Sequence, residues 1–336
     1  MAAFAHIFLF MMALADDFQD GLRAMQQNDW KAASAHLQAA AKTSPANARI
    51  WLALARTQSK LGLAAEAKAS AAKAANLGSR DGLVQKSLVV HYTEAGEPLD
   101  AARAQARYAA LTTEDDAREQ AAAMYFALVQ PLLAQQKFTE AGELLREAQK
   151  ACPGNAQLEL AMGVALYGTR HFDEAAAAFL ETIRIAPEVE QSYVFLGKFL
   201  DQVQARRPEI AKAFAAYTAK FPERDTGYLL QAKLLNAQSS EPERARQLLD
   251  QALSRNNANP ATYFELGVLL FQLRDYAGAA RAWERCAALE PRNATVHYRL
   301  SLVYRRLGKH EAAEAERALH GKLEKDVEAG KYPQQP

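Results

Sequence analysis

Apolar residues recur at spacings of three and four along most of the chain, most clearly over residues 260–293, PATYFELGVLLFQLRDYAGAARAWERCAALEPRN. One apolar stripe begins at Tyr263 and ends at Leu270, and a second begins at Tyr276 and ends at Ala287. This spacing places side chains on one face of an α-helix. The stretch therefore predicts two amphipathic helices joined by a short turn.

Small residues interrupt both apolar stripes of this stretch. Gly267 and Ala279 allow two helix backbones to approach closely, while neighbouring aromatic side chains fill the space beside them. Pro291 cannot continue a helix, so it is expected to end the second one. Helices of this length are marginally stable alone in water. The unit is therefore expected to persist only when it is stacked on its neighbours.

These features stand at fixed positions counted from Pro260: aromatic residues at 4, 17 and 24, Leu-Gly at 7 and 8, alanine at 20 and proline at 32. The pattern resembles the tetratricopeptide repeat (TPR), which has a period of about 34 residues and the signature W-x-x-L-G-x-x-Y…A-x-x-x-F…P. The resemblance implies an all-α fold, a right-handed α-solenoid or superhelix of antiparallel helix-turn-helix hairpins.

The same period can be followed from residue 14 to near the end of the chain, with glycine, alanine and proline returning at matching positions. The pattern weakens between Arg206 and Asn259, where two insertions of one residue are needed. Residues 328–336 are predicted to form a disordered tail. About nine repeats are predicted, near 14–47, 48–81, 82–115, 122–155, 156–189, 190–224, 225–259, 260–293 and 294–327.

The N-terminal run 1–15, MAAFAHIFLFMMALA, has no charged side chain and ends in Ala13-Leu14-Ala15. This is typical of a secretory signal peptide with an A-x-A cleavage site. The chain is therefore expected to be a bacterial exported TPR protein, periplasmic or secreted, without stable membrane insertion after cleavage. The run lacks an initial Lys or Arg, which leaves an alternative: a capping helix on a cytoplasmic regulatory or assembly module.

The overall charge of the chain argues against nucleic acid as a partner. The chain has 40 basic and 39 acidic side chains and a formal net charge of +1, so no overall field favours nucleic acid.

Cys152 and Cys286 lie about four repeat periods apart, too far for a disulfide in a stack where repeats contact only their neighbours. Both are predicted to be free thiols.

The sequence offers no motif that supports catalysis. Its seven histidines are scattered without H-x-x-x-H or H-E-x-x-H spacing, and there is no glycine-rich phosphate loop or G-x-S-x-G elbow. We therefore predict no catalytic residue, no cofactor and no metal site, and hence a non-enzymatic protein. An enzyme with a site on the convex loops is the alternative, and no group of residues supports it.

In similar repeats the first helix of each unit lines a concave groove, through positions 2, 5, 9, 12 and 13 of the repeat. The resemblance therefore implies partner-binding candidates at these positions. They are Arg49, Arg56, Lys60, Lys86, Phe126, Leu160, Val164, Tyr167, Lys198, Lys233, Phe264, Phe271, Tyr298, Arg305 and Arg306.

Aromatic anchors flanked by cations suit an extended or helical peptide that bears carboxylates. The alternative is that the aromatic positions are partly core and the cations form an ordinary solvated face. Some relatives hold a C-terminal carboxylate with a Lys and Asn clamp, but Ser87 and Val90 stand where that clamp needs amide or basic groups. The prediction is a TPR scaffold that binds a protein or peptide partner in its groove.

Overall fold

The computed structural model describes residues 17–329, and these residues form α-helices and connecting turns without a β-strand. The predicted signal peptide and nearly all of the predicted C-terminal tail lie outside the described residues. The chain divides into two compact units, one up to Thr169 and one from Arg170 onwards. Each unit consists of stacked helical hairpins, which confirms the predicted all-α solenoid fold class.

The first unit begins within the helical residues 17–26, here called α1. Its remaining helices are α2 (Trp30–Thr43), α3 (Ala48–Lys60), α4 (Ala64–Leu77), α5 (Gly82–Glu94), α6 (Pro98–Ala109), α7 (Ala117–Ala134), α8 (Phe138–Ala151) and α9 (Ala156–Gly168). Helix α7 starts before the predicted repeat 122–155 and retains Pro131 inside its last turns.

The second unit contains a single short 3-10 turn, Gln204–Arg206, among its described residues. Its helices are α10 (Phe172–Ile185), α11 (Glu190–Lys198), α12 (Arg207–Lys220), α13 (Asp225–Gln238), α14 (Pro242–Arg255), α15 (Pro260–Gln272), α16 (Tyr276–Leu289), α17 (Ala294–Arg306) and α18 (His310–Glu328).

Asparagine and aspartate residues begin many of the first helices. Their side-chain oxygens accept hydrogen bonds from backbone N–H groups of the first turn, which would otherwise have no partner. Such a cap stabilises a helix by about 1 kcal/mol. The residues that act in this way are Asn47, Asp81, Asn155, Asn259 and Asn293.

A buried alanine is the fourth residue of nearly every second helix. None of these alanines has more than 3% of its surface exposed, so another helix packs directly against each of them. In α12 the same place is taken by Ile210, which is also fully buried. The alanines are Ala33, Ala67, Ala101, Ala141, Ala175, Ala245, Ala279 and Ala313.

Trp283 of α16 is the largest fully buried side chain of the second unit, with 1% of its surface exposed. Its indole Nε1 donates a hydrogen bond to the carbonyl oxygen of Phe264 at 3.1 Å. Gly267 lies against the indole, and a Cβ atom at this position would overlap the ring. The close approach predicted from Gly267 is therefore made to a tryptophan ring. Tyr276, the first residue of the second apolar stripe, is only half-buried.

The predicted weak joint between Arg206 and Asn259 does not coincide with the boundary between the compact units, which falls after Thr169. Helix α11 ends early, but Phe199 and Val203 in the irregular segment that follows are buried. The ring of Phe199 also stacks on Phe172 at a centroid distance of 5.7 Å. The segment departs from helical geometry and still contributes apolar side chains to the core.

We predict that Gly267→Ala lowers the free energy of unfolding by about 1–3 kcal/mol, because the added methyl group forces the buried indole to move. Trp283→Ala should cost about 3–5 kcal/mol through the cavity that it leaves. Urea denaturation measures both losses, and hydrogen exchange should place them in the second unit.

The matched control is Gly142→Ala in α8, where no atom lies within 4 Å of an added Cβ. It should leave stability unchanged or raise it by up to about 1 kcal/mol, because alanine is the better helix former. Equal destabilisation by the two glycine substitutions would contradict the proposed contact with Trp283.

Candidate functional site

Four first helices of the second unit border a cavity of about 410 Å³. Helix α11 contacts α13, and α13 contacts α15, so residues far apart in sequence meet on one surface. Helix α17, near the C-terminal end of the unit, contributes the side chain of Arg299. The wall contains charged, amide and aromatic groups, among them Lys198, Lys233, Asn236, Phe264, Glu265 and Arg299.

A second cavity, of about 520 Å³, adjoins the first. The two have Lys198, Lys233, Phe264 and Glu265 in common, so these residues stand between them. The lining of the second cavity includes aliphatic residues such as Val194, of which 38% is exposed. Residues of α11, α13 and α15 line both cavities, which are together called the recess.

Glu265 is a buried carboxylate with 6% of its surface exposed. Its Oε2 accepts a hydrogen bond from Nδ2 of Asn236 at 3.1 Å, and its Oε1 lies 3.6 Å from Nζ of Lys233. Gln272 donates to the backbone carbonyl of Asn236 at 3.1 Å. A buried charge is tolerated when it is paired and hydrogen-bonded. These contacts therefore hold Glu265 and Asn236 in fixed positions in the wall.

Lys198, the last residue of α11, is half-buried beside a second lysine. Burial and then the positive charge of Lys233 lower the pKa of its ammonium group. Its Nζ lies 4.8 Å from the centre of the Phe195 ring. Within the part of the chain that the structure describes, no carboxylate pairs with it. Lys198 therefore places a partly desolvated positive charge in the wall without an anion to balance it.

Two further polar atoms of the first cavity are buried without a protein partner. They are Oδ1 of Asn236 and Nε of Arg299. The first is a hydrogen-bond acceptor and the second a donor. Neither atom is accessible from the cavity in this conformation, so each remains a buried polar atom without a protein partner.

The structure brings together four of the predicted groove residues in the second unit: Lys198, Lys233, Phe264 and Phe271 line the first cavity. The Phe271 ring also contacts those of Tyr276 and Trp283, at centroid distances of 5.3 and 5.7 Å. For Phe271 the partly core interpretation is therefore correct.

The other predicted residues of this unit lie outside both cavities. Tyr298 is exposed, with its ring 5.3 Å from that of His320. Arg305 and Arg306 are exposed at the end of α17. The groove residues predicted in the repeat 294–327 therefore do not line the recess.

In the first unit a cavity of about 480 Å³ is bordered by α1, α3 and α5. Arg56 and Lys60 line it, beside Trp30 and Val90. The pKa of His91 in the same wall is lowered by burial and by the charge of Arg56. Arg56 and Lys60, two of the predicted groove cations, therefore line the same cavity of the first unit.

The other two predicted cations of the first unit are neutralised by the protein itself. Arg49 pairs with Asp81 at 3.2 Å, and Lys86 pairs with Glu114 at 2.9 Å. Nζ of Lys86 also donates to the Tyr108 hydroxyl at 3.1 Å. Arg49 and Lys86 are therefore less available to bind an acidic partner than the sequence suggested.

The apolar candidates of the first unit lie on α7 and α9 and are all half-buried, so part of each side chain belongs to the core. They are Phe126, Leu160, Val164 and Tyr167.

The sequence-based interpretation missed three residues of the recess. Glu265 and Arg299 each occupy the sixth position of their predicted repeats, which was not among the groove positions considered. Asn236 carries neither a charge nor a ring, so it was not selected. A charged residue at the sixth position of two consecutive repeats is the signal that could have identified the site.

Residues 17–329 contain no group of three or more His, Cys, Asp or Glu side chains placed to hold a metal ion. Within the same range, every helix is too short or too polar to cross a membrane.

We predict that Lys233→Met lowers the free energy of unfolding by about 1–3 kcal/mol, because it leaves the buried Glu265 carboxylate without its cation. Lys198→Met should be nearly neutral, because it removes a partly desolvated charge that has no carboxylate partner. Urea denaturation at neutral pH compares the two, and equal losses would contradict the assigned roles.

Comparison with known proteins identifies the repeats. Family models described as tetratricopeptide repeat match residues 24–87, 96–156, 229–285 and 264–322, which together exceed half of the chain. The protein O-mannosyl-transferase TMTC3 of Mus musculus is 28% identical over 176 residues, which cover 48% of this chain and 19% of that protein. The human protein of the same name is 27% identical over 181 residues, with the same coverage. The chain spans about a fifth of the length of these curated relatives.

Solved structures with the same kind of fold are more distant in sequence. PilW, described as a widely conserved type IV pilus biogenesis factor, is 17% identical, with a TM-score of 0.50 and coverage of 64% of this chain and 96% of PilW. Yeast Tom70 is 12% identical, with a TM-score of 0.46 and coverage of 93% and 92%. From the family matches and the stacked hairpins, the chain belongs to the tetratricopeptide repeat family.

Proposed function

We propose that the chain is a non-enzymatic scaffold that holds a segment of a protein partner along the inner faces of its first helices. The observation that carries this proposal is the recess formed by two adjoining cavities on α11, α13, α15 and α17. Stacked repeats place side chains from successive units on one surface, and extended recesses of this kind suit extended ligands.

The recess combines apolar area with charge. Val194 is exposed and Phe264 is half-buried, so a ligand that covers them removes apolar surface from water, which contributes about 25 cal/mol per Å². The lysines beside them favour partners with negative charge and increase the rate of encounter. This combination supports binding of a peptide segment that carries both apolar and acidic side chains.

The chemistry of the wall supports binding rather than catalysis. Cys286 borders the second cavity, but burial raises the pKa of its thiol to about 12, so it stays protonated near neutral pH and is a poor nucleophile. Glu265 is held by Lys233 and Asn236 and does not serve as a free base.

We predict that Phe264→Ala weakens peptide binding by roughly tenfold or more, because a central aromatic anchor is lost. A library of random twelve-residue peptides displayed on phage supplies the ligands. Fluorescence anisotropy then measures the affinity of a selected peptide for each variant.

The control is Leu273→Ala, which removes an exposed apolar side chain outside both cavities. It should leave the affinity unchanged. If Phe264→Ala bound selected peptides as tightly as the unaltered protein, the recess would not be the binding site.

We also propose that the protein is exported, on the basis of the uncharged run 1–15 and its A-x-A ending. Mass spectrometry of the protein purified from its native cell should then find Asp16 at the mature N-terminus. An intact start at Met1 would instead favour the cytoplasmic regulatory or assembly module.

A further inference from the structure

The lysine pair Lys198 and Lys233 stands at the place where the two cavities of the second unit meet. We propose that Lys198 of this pair recognises an acidic side chain in the interior of the bound segment, with apolar side chains seated on either side of it. The inference rests on the proposed function and specifies which segment the recess accepts.

Two cations of the first cavity, Lys198 and Arg299, form no ion pair with a carboxylate among the described residues. Glu265 pairs with Lys233 at 3.6 Å, and Asp201 pairs with Arg207 at 3.1 Å. Glu290, in the lining of the second cavity, accepts a hydrogen bond from Asn293 at 3.0 Å. A carboxylate from the ligand would be attracted by Lys198 and Arg299 in partly desolvated surroundings, where charge-assisted hydrogen bonds are strong.

The position of the lysines selects an interior residue rather than a chain end. Apolar side chains form part of the wall on both sides of the pair, Val268 and Phe271 in one cavity and Val194 and Leu229 in the other. A segment that fills both cavities continues in both directions from the lysines. The carboxylate that meets them therefore belongs to an Asp or Glu side chain.

The test uses an array of nonapeptides that are acetylated and amidated, so that they carry no terminal charge. Each has Leu or Phe before and after a central position that is varied through all residue types. The unaltered protein should bind peptides with a central Asp or Glu roughly tenfold more tightly than those with Asn or Gln, the difference expected of one charge-assisted contact. This preference should fall as the salt concentration rises.

Lys198→Met should remove most of the preference for acidic residues while the apolar contribution to binding remains. The matched control is Lys212→Met on α12, an exposed lysine outside both cavities, which should keep the full preference. Circular dichroism and urea denaturation establish that both variants are folded.

Equal binding of Glu and Gln peptides, or an unchanged preference in Lys198→Met, would overturn the inference and leave the proposed function standing. A second array of peptides with free C-terminal carboxylates tests whether the recess binds a chain end instead of an acidic side chain. Preference only for peptides that end at the variable position would also overturn it. If no peptide in either array bound, the proposed function and this inference would both fail.

Discussion

Close packing of short helices through small buried residues is the constraint on which the rest of this structure depends. Helices of thirteen or fourteen residues, such as α15 and α16, are marginal alone, so they must bury one face against a neighbour. An alanine such as Ala279 lets the partner helix approach. The space beside it is then filled by a large ring, such as that of Trp283 against Gly267.

The recess is a consequence of this packing. A first helix that buries one face leaves the opposite face free, and Phe264 shows how the two are connected. Its carbonyl oxygen accepts the indole hydrogen bond of Trp283, while its side chain borders both cavities. Glu265, the next residue of α15, is held in place by its contacts with Lys233 and Asn236. The recess is therefore built on rigid elements, so the binding proposed there would cost the protein little conformational entropy.

Much of the fold could be predicted because glycine, alanine and proline are needed at fixed places in each hairpin and recur with the period. The same reasoning selected Lys198 and Phe264, which line the first cavity of the second unit. It could not predict which cations stay free. Arg49 and Lys86 are each paired with a carboxylate of another segment, and such pairing depends on side-chain conformations that a repeat pattern does not encode.

Because the two cavities share Lys198 and Lys233, they are not independent sites. A group bound in one changes the electrostatic potential felt by a group in the other, so their contributions to affinity are not additive. Thermodynamic linkage makes this effect mutual: a group in the first cavity changes the affinity of the second cavity by the same factor as a group in the second changes the affinity of the first. The contacts that the proposed segment makes in the two cavities are therefore coupled through the shared lysines.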